Sequence, residues 1–226
     1  VTANQTITWV LKPAAFAAGL LPAGLLVRAA LTGRLSVNPL SDITLETGIW
    51  ALRFLCITLA ITPLRRITGW NAVIRFRRMA GLFAFFYATM HFLIYVIADR
   101  FAGLEFPDGI VALSTVRNLA ASIAADIYVR PFITIGFAAL LCLVPLAATS
   151  TAGMIRRLGG KRWQALHRLV YVAAVLGVLH FLWLVKVDVR PPLRYGAIVG
   201  VLLGLRLWWQ RARAGAPLRA RAATRS

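Results

Sequence analysis

Carboxylates are scarce in this chain. Asp and Glu together number seven, against 26 Lys and Arg, for a formal net charge of +19. None of the seven lies deep inside an apolar run, which argues against a proton- or sodium-coupled transporter. Cysteine is nearly absent too. Cys56 and Cys142 both fall within apolar runs and read as small buried hydrophobes, with no disulfide framework or Cys-rich metal pattern. There is no Gly-rich fingerprint in a strand-turn-helix context, so no NAD(P)H or FAD domain is encoded. No polar stretch is long enough for a separate catalytic domain, and no internal repeat is evident. The positive charge does not indicate nucleic acid: Lys and Arg cluster in short loops instead of forming a stripe with aromatics.

What the chain has in quantity is apolar sequence. The hydrophobic fraction is 60% and the mean hydropathy +0.75, too apolar for an ordinary soluble domain. A bilayer span takes roughly 20 apolar residues. Six runs qualify: about 7–30, 43–61 (closed by Thr62-Pro63), 79–98, 131–148, 163–185 and 193–209. The first contains Pro13 and Pro22, which membrane helices tolerate. It continues into a full-length span without a convincing cleavage site, so it is read as a span and not a secretory signal. The expected fold is all-α, a polytopic bundle of six transmembrane helices. One domain covers residues 1–210, with its core at about 39–209, and a mobile basic cytoplasmic tail covers 211–226.

Orientation follows from Lys and Arg. Arg65, Arg66, Arg75, Arg77 and Arg78 fill the second connection. Arg156, Arg157, Lys161 and Arg162 fill the fourth, and Arg211, Arg213, Arg219, Arg221 and Arg225 the C-terminal end. These regions are expected in the cytoplasm, with both termini. The third connection mixes Asp99, Glu105, Asp108 and Asp126 with Arg100, Arg117 and Arg130. It is expected outside, with Leu113 to Tyr128 as a helix on the outer surface, favoured over a shallow re-entrant piece. Trp163, Trp208, Trp209 and Trp183 suit an interfacial aromatic belt.

All three histidines, His91, His167 and His180, fall inside expected spans. An ionisable residue there marks a functional site by default. At a rise of about 1.5 Å per residue, His91 lies roughly 18 Å along its span and His180 roughly 25 Å along its own. Both sit near the outer end, at matched depth, as the axial pair of a b-type haem requires. Ligation is favoured over helix-to-helix hydrogen bonding for this pair. His167 is about one turn into the fifth span and roughly 140° from His180 on an ideal helix. A π-bulge, or a bend at Gly177, is needed to bring the two together. Otherwise His167 serves a second haem or a polar contact, and ligand and structural roles stand equal. Zinc is a poor alternative, since nothing at that depth completes four-coordination.

Arg53 is mid-span and needs a partner: Glu46, a haem propionate or a helix-end carbonyl. Arg77 and Arg78 sit at the mouth of the third span, where they suit a propionate or a flavin phosphate, although topology-setting charge explains either one alone. Phe83, Phe85, Phe86, Tyr87, Phe92 and Tyr95 are candidates to pack on a porphyrin, or are simply core.

Four blocks carry a resemblance over about Pro39 to Trp209: NPLSDITLETGIWALRFLCITLAITPLRR, RRMAGLFAFFYATMHFLIYV, DIYVRPFITIGFAALLCLVPLAATST and RRLGGKRWQALHRLVYVAAVLGVLHFLWL. They resemble the MsrQ (YedZ) family, haem-binding membrane subunits of a methionine sulfoxide reductase system within the ferric-reductase-like transmembrane superfamily. The resemblance implies haem b (one, or two) on His91, His167 and His180, and FMN at a site the motifs do not place. It implies a bacterial inner-membrane location and a non-catalytic electron-transfer role. Electrons would enter from the quinone pool or a cytoplasmic flavin reductase. They would leave to MsrP, a periplasmic molybdenum-cofactor enzyme that reduces methionine sulfoxide in oxidised proteins. Membrane lipid is the other implied partner. The competing readings are a stand-alone ferric reductase or quinone-linked cytochrome b, and a non-redox membrane protein with structural histidines.

Overall fold

The computed structural model describes residues 3–97 and 113–223. Its helices are α1 (Lys12–Leu31), α2 (Pro39–Thr68), α3 (Arg77–Ile94), α4 (Leu113–Val129), α5 (Pro131–Ala148), α6 (Ala152–Leu158), α7 (Gly160–Leu166), α8 (Leu169–Leu184) and α9 (Arg190–Ala223). A helical turn at Ala3–Thr6 and a π turn at Ile7–Leu11 lead into α1, and a 3-10 turn at Asn71–Phe76 leads into α3. Among the described residues, five segments are long and apolar enough to cross a membrane: Asn4–Leu31, Pro39–Thr68, Asn71–Ile97, Pro131–Ala148 and Gly160–Leu184. The sixth expected segment is the apolar part of α9, which packs on α2 and α8. The helix runs without a break into the basic stretch as far as Ala223. The stretch expected as a surface helix is helical, as α4. The expectations for Asp99, Arg100, Glu105, Asp108 and Arg225 lie outside the described residues.

The bundle is built around α2. It packs on α3, α8, α9 and α1, and 56% of its apolar window is buried, against 11–22% for the other spanning segments. Its start is fixed locally. The Asn38 side chain accepts the Ser41 N–H at 3.2 Å, Pro39 takes the first helical position, and Asp42 places a carboxylate in the first turn. Each satisfies or complements the free N–H groups there. Gly69 ends the helix at φ 70, the left-handed cap that glycine supplies without strain.

The expected stop at Thr62-Pro63 does not occur. The helix continues through Pro63 to Thr68. Proline lacks an N–H, so the Leu59 carbonyl one turn back loses its helical donor. Arg206 of α9 supplies a replacement, Nη2 donating to Leu59 O at 3.3 Å, and its Nη1 donates to Tyr171 Oη. A membrane helix passes through proline when a neighbour re-satisfies the freed group.

α1 is the least buried span, yet it is pinned. The fully buried Tyr87 hydroxyl inserts into the α1 ladder beside Pro22, donating to Gly19 O at 2.8 Å and accepting from Ala23 N at 3.2 Å. A Cβ on Gly19 would lie 2.3 Å from the Phe83 ring, so glycine is what lets α3 approach.

The described carboxylates, Asp42, Glu46, Asp126 and Asp188, all sit at the end where α2 and α5 begin and α3 and α8 finish. Arg65, Arg66, Arg77, Arg78, Arg156 and Arg157 sit at the opposite end. These are the carboxylate end and the arginine end below. Cys56 is buried, Cys142 half-buried, and both are free.

Candidate functional site

His91 near the end of α3 and His180 near the end of α8 face one another across the bundle, with ring centroids 6.0 Å apart and planes at 82°. The geometry behind each is the same. His91 Nδ1–H donates to Thr44 O of α2 at 2.8 Å, and His180 Nδ1–H donates to Phe132 O of α5 at 2.7 Å. Four residues past each carbonyl comes a glycine. A Cβ on Gly48 would lie 3.0 Å from His91 Nδ1, and one on Gly136 would lie 2.7 Å from His180 Nδ1. Each imidazole therefore lies against a bare stretch of helix, in a place any larger residue would fill.

The carbonyls fix the tautomer. With hydrogen on Nδ1, the lone pair of each ring is on Nε2. Neither Nε2 has a hydrogen-bond partner among the described residues. A carbonyl on the far nitrogen is the usual support of a metal-ligating histidine, setting ring orientation and raising ligand basicity. Metal–imidazole bonds of about 2 Å on either side of one ion put the ring centroids about 6 Å apart, which is the separation found. The pair lines a cavity of about 690 Å³, within the range of cofactor pockets. Its walls are mostly aliphatic, with Phe92, Phe137 and Tyr95 among them. Among the described residues no three His, Cys, Asp or Glu come together as a metal-binding group, so the donor set is two imidazoles. That set suits axial ligation of a planar macrocycle.

His167 is elsewhere. The fifth expected span is broken at His167 and Arg168, between α7 and α8, while α8 runs as regular helix through Gly177. The bend that would have joined His167 to His180 is absent. His167 stacks on Trp163 at 3.8 Å, and its Nε2 lies 3.1 Å from Thr149 Oγ1. The Thr149 hydroxyl gives its hydrogen to Pro145 O at 2.6 Å, so its oxygen accepts from His167 Nε2–H. Trp163 Nε1 donates to Thr149 O at 2.9 Å, which binds Trp163 into this cluster; Trp183 and Trp208 are the exposed members of the expected belt.

His167, Arg77 and Arg78 line a second cavity, of about 310 Å³, at the arginine end, with Trp163, Ser150 and Thr58. Arg78 and His91 are thirteen positions apart, and so are His167 and His180. The two cavities thus repeat along α3 and the α7–α8 segment. The second has arginines where the first has a histidine. Arg53 lines neither cavity. Its Nε donates to Tyr195 Oη of α9 at 3.0 Å, and its guanidinium covers the Trp50 ring at 4.4 Å. The aromatic set divides as well. Phe83 and Tyr87 stack on Phe54 in the core, while Phe92 and Tyr95 reach the large cavity.

Sequence reasoning missed Gly48, Gly136 and Arg206. The spacing of a glycine four residues after the accepting carbonyl was visible on α2 and α5, but nothing in one chain says which histidine meets which glycine.

Comparison with known proteins decides the family. The model of the ferric reductase like transmembrane component matches residues 47–178, more than half of the chain. This chain belongs to that family. Its similarity to curated relatives is high and nearly full-length. It is 50% identical over 202 residues to a protein of Herminiimonas arsenicoxydans, covering 88% of this chain and 85% of the relative. It is 52% identical over 192 residues to one of Ralstonia nicotianae, covering 84% and 81%, and 50% identical over 194 residues to one of Rhodospirillum rubrum, covering 86% of each. All three relatives are named protein-methionine-sulfoxide reductase heme-binding subunit MsrQ. No solved structure matches the chain. The family match runs from within α2 to Val178 of α8 and includes His91 and His167; His180 lies two residues past its end.

Proposed function

We propose that this chain is a transmembrane b-type cytochrome that passes electrons to a methionine sulfoxide reductase. The observation that carries this is the His91–His180 pair, with both Nδ1 groups held on backbone carbonyls and both rings lining one large apolar cavity. The names of its relatives support the haem and the reductase system. Bound haem supplies a centre that takes and gives one electron at a time. The chain's own part is to orient the two imidazoles, to exclude water behind apolar walls, and to tune the potential through axial basicity and low polarity.

The finer assignments belong to the same proposal. The carboxylate end faces the periplasm, where the molybdenum-cofactor partner MsrP docks. The arginine end and both termini face the cytoplasm, in the bacterial inner membrane, as the distribution of Lys and Arg favours. Electrons enter at the arginine end, from the quinone pool or a flavin reductase. Arg77 and Arg78, in the first turn of α3, would hold the phosphate of FMN through their guanidinium groups. The chain itself makes and breaks no bond in methionine sulfoxide, so its role in the enzyme is that of an electron-transfer subunit.

The test is the oxidised and reduced visible spectrum of the purified chain, with haem per polypeptide quantified. A low-spin b-type spectrum is expected, abolished by His91→Ala and by His180→Ala. A chain that stays colourless after haem supply during expression would sink the reading and leave the histidines a structural role.

A further inference from the structure

The large cavity is apolar along most of its wall, but not at the carboxylate end. There Asn38, Ser41, Tyr95 and Arg130 line it. Apart from the two histidines, Arg130 is the one basic side chain among the described residues of that wall. Its Nε faces Asp126 Oδ1 at 3.4 Å, and Tyr95 Oη donates to Asp126 Oδ2. Asp126 is buried, at 8% exposure, while the Arg130 side chain is half-exposed. The two terminal nitrogens of Arg130 have no partner among the described residues. A guanidinium held by one edge and open at the other is suited to a carboxylate, which it grips through two parallel hydrogen bonds.

The other candidates for such a contact are elsewhere. Arg53 is bonded to Tyr195 outside the cavity, and Arg77 and Arg78 line the second cavity. The ligand of the first cavity, on the reading above, is a macrocycle with carboxylates along one edge. An apolar wall cannot take an ionised carboxylate, so that edge must lie at the polar mouth.

We propose that Arg130 binds the carboxylate edge of the haem held by His91 and His180, and that Asp126 and Tyr95 position its guanidinium. The proposal rests on the haem reading and is tested separately from it. Without Arg130, an uncompensated anion lies beside the redox centre. It favours the oxidised, more positive state, so the midpoint potential falls.

The experiment uses the full chain, purified with haem bound, as parent, Arg130→Gln and Arg130→Lys. Potentials are read by spectroelectrochemical titration, and haem retention by loss to a haem scavenger. Arg130→Gln is expected to weaken reduction about tenfold, a fall of about 59 mV for one electron, and to lose haem faster. Arg130→Lys keeps the charge and recovers more than half of the shift. Haem dimethyl ester, with both carboxylates blocked, is expected to leave the parent chain faster than haem does, and Arg130→Gln to add nothing further. If Arg130→Gln leaves potential and retention unchanged with its low-spin spectrum intact, the proposal falls and the haem reading stands. A parent chain with no bis-histidine spectrum overturns both. Should Arg130→Gln fail to accumulate, an ester held by the parent as tightly as haem overturns the proposal.

Discussion

The two cavities repeat one arrangement with different chemistry. At the carboxylate end, two imidazoles are pressed against glycines, each with its far nitrogen on a carbonyl. At the arginine end, thirteen residues back along each chain segment, the same helices offer two guanidinium groups and one imidazole, and that imidazole spends Nε2 on a threonine. Volume follows chemistry, about 690 Å³ against about 310 Å³. The comparison teaches that depth in the bundle does not set which nitrogen a histidine keeps free of hydrogen bonds. What distinguishes His91 and His180 from His167 is which nitrogen is taken: Nδ1 by a backbone carbonyl in the first two, Nε2 by the Thr149 hydroxyl in the third.

The largest effects should come from the histidines. His91→Ala or His180→Ala is expected to abolish bound haem. His167→Ala is expected to keep most of it, read as haem per polypeptide. Loss of the spectrum in His167→Ala would merge the two sites and break the contrast. The cradle glycines come next. Gly136→Ala puts a methyl 2.7 Å from the His180 ring and Gly48→Ala one at 3.0 Å from His91. Overpacking of this kind costs about 1–3 kcal/mol, so haem retention should fall, more for Gly136→Ala. Gly81 lines the other cavity, and a Cβ there meets Thr58 only at 3.8 Å; equal damage from Gly81→Ala would show that tightness at the glycines is not what defines the haem site. Arg77→Ala with Arg78→Ala should leave the haem spectrum unchanged and lower flavin content, measured by fluorescence after extraction. The smallest effect is on stability alone. Tyr87→Phe removes the hydroxyl that bonds Gly19 O and Ala23 N–H, at a cost of about 0.5–1.5 kcal/mol, visible as a lower unfolding temperature with an unaltered haem spectrum in the folded protein.

Much of this was legible beforehand, for reasons that can be named. The depth of His91 and His180 follows from a fixed rise per residue, and so does the misalignment of His167 with His180. Both conclusions need only spacing within one helix. The partners were not legible, because they are contacts between helices. Arg53 meets Tyr195 across 142 positions of sequence. Arg206 lies within the sixth apolar run, and its purpose appears only once the carbonyl freed by Pro63 is seen to need a donor. Proline was read as a stop for the second span because local rules say so; a neighbour overruled it. Glycine is common in membrane helices, so Gly48 and Gly136 carried no signal until the rings lay against them.

The break at His167 and Arg168 has a consequence for how such a chain can vary. In an unbroken helix, adding or removing one residue turns everything on one side of the change by about 100° relative to the other. Here α7 and α8 meet at two residues where the bonds tighten to a three-residue spacing, Arg168 N to Ala165 O, Val170 N to His167 O and Tyr171 N to Arg168 O. A change of length late in α7 would turn Trp163 and what precedes it, while α8 keeps His180 seated on Phe132. The arginine end can thus vary in length without moving the two histidines of the large cavity.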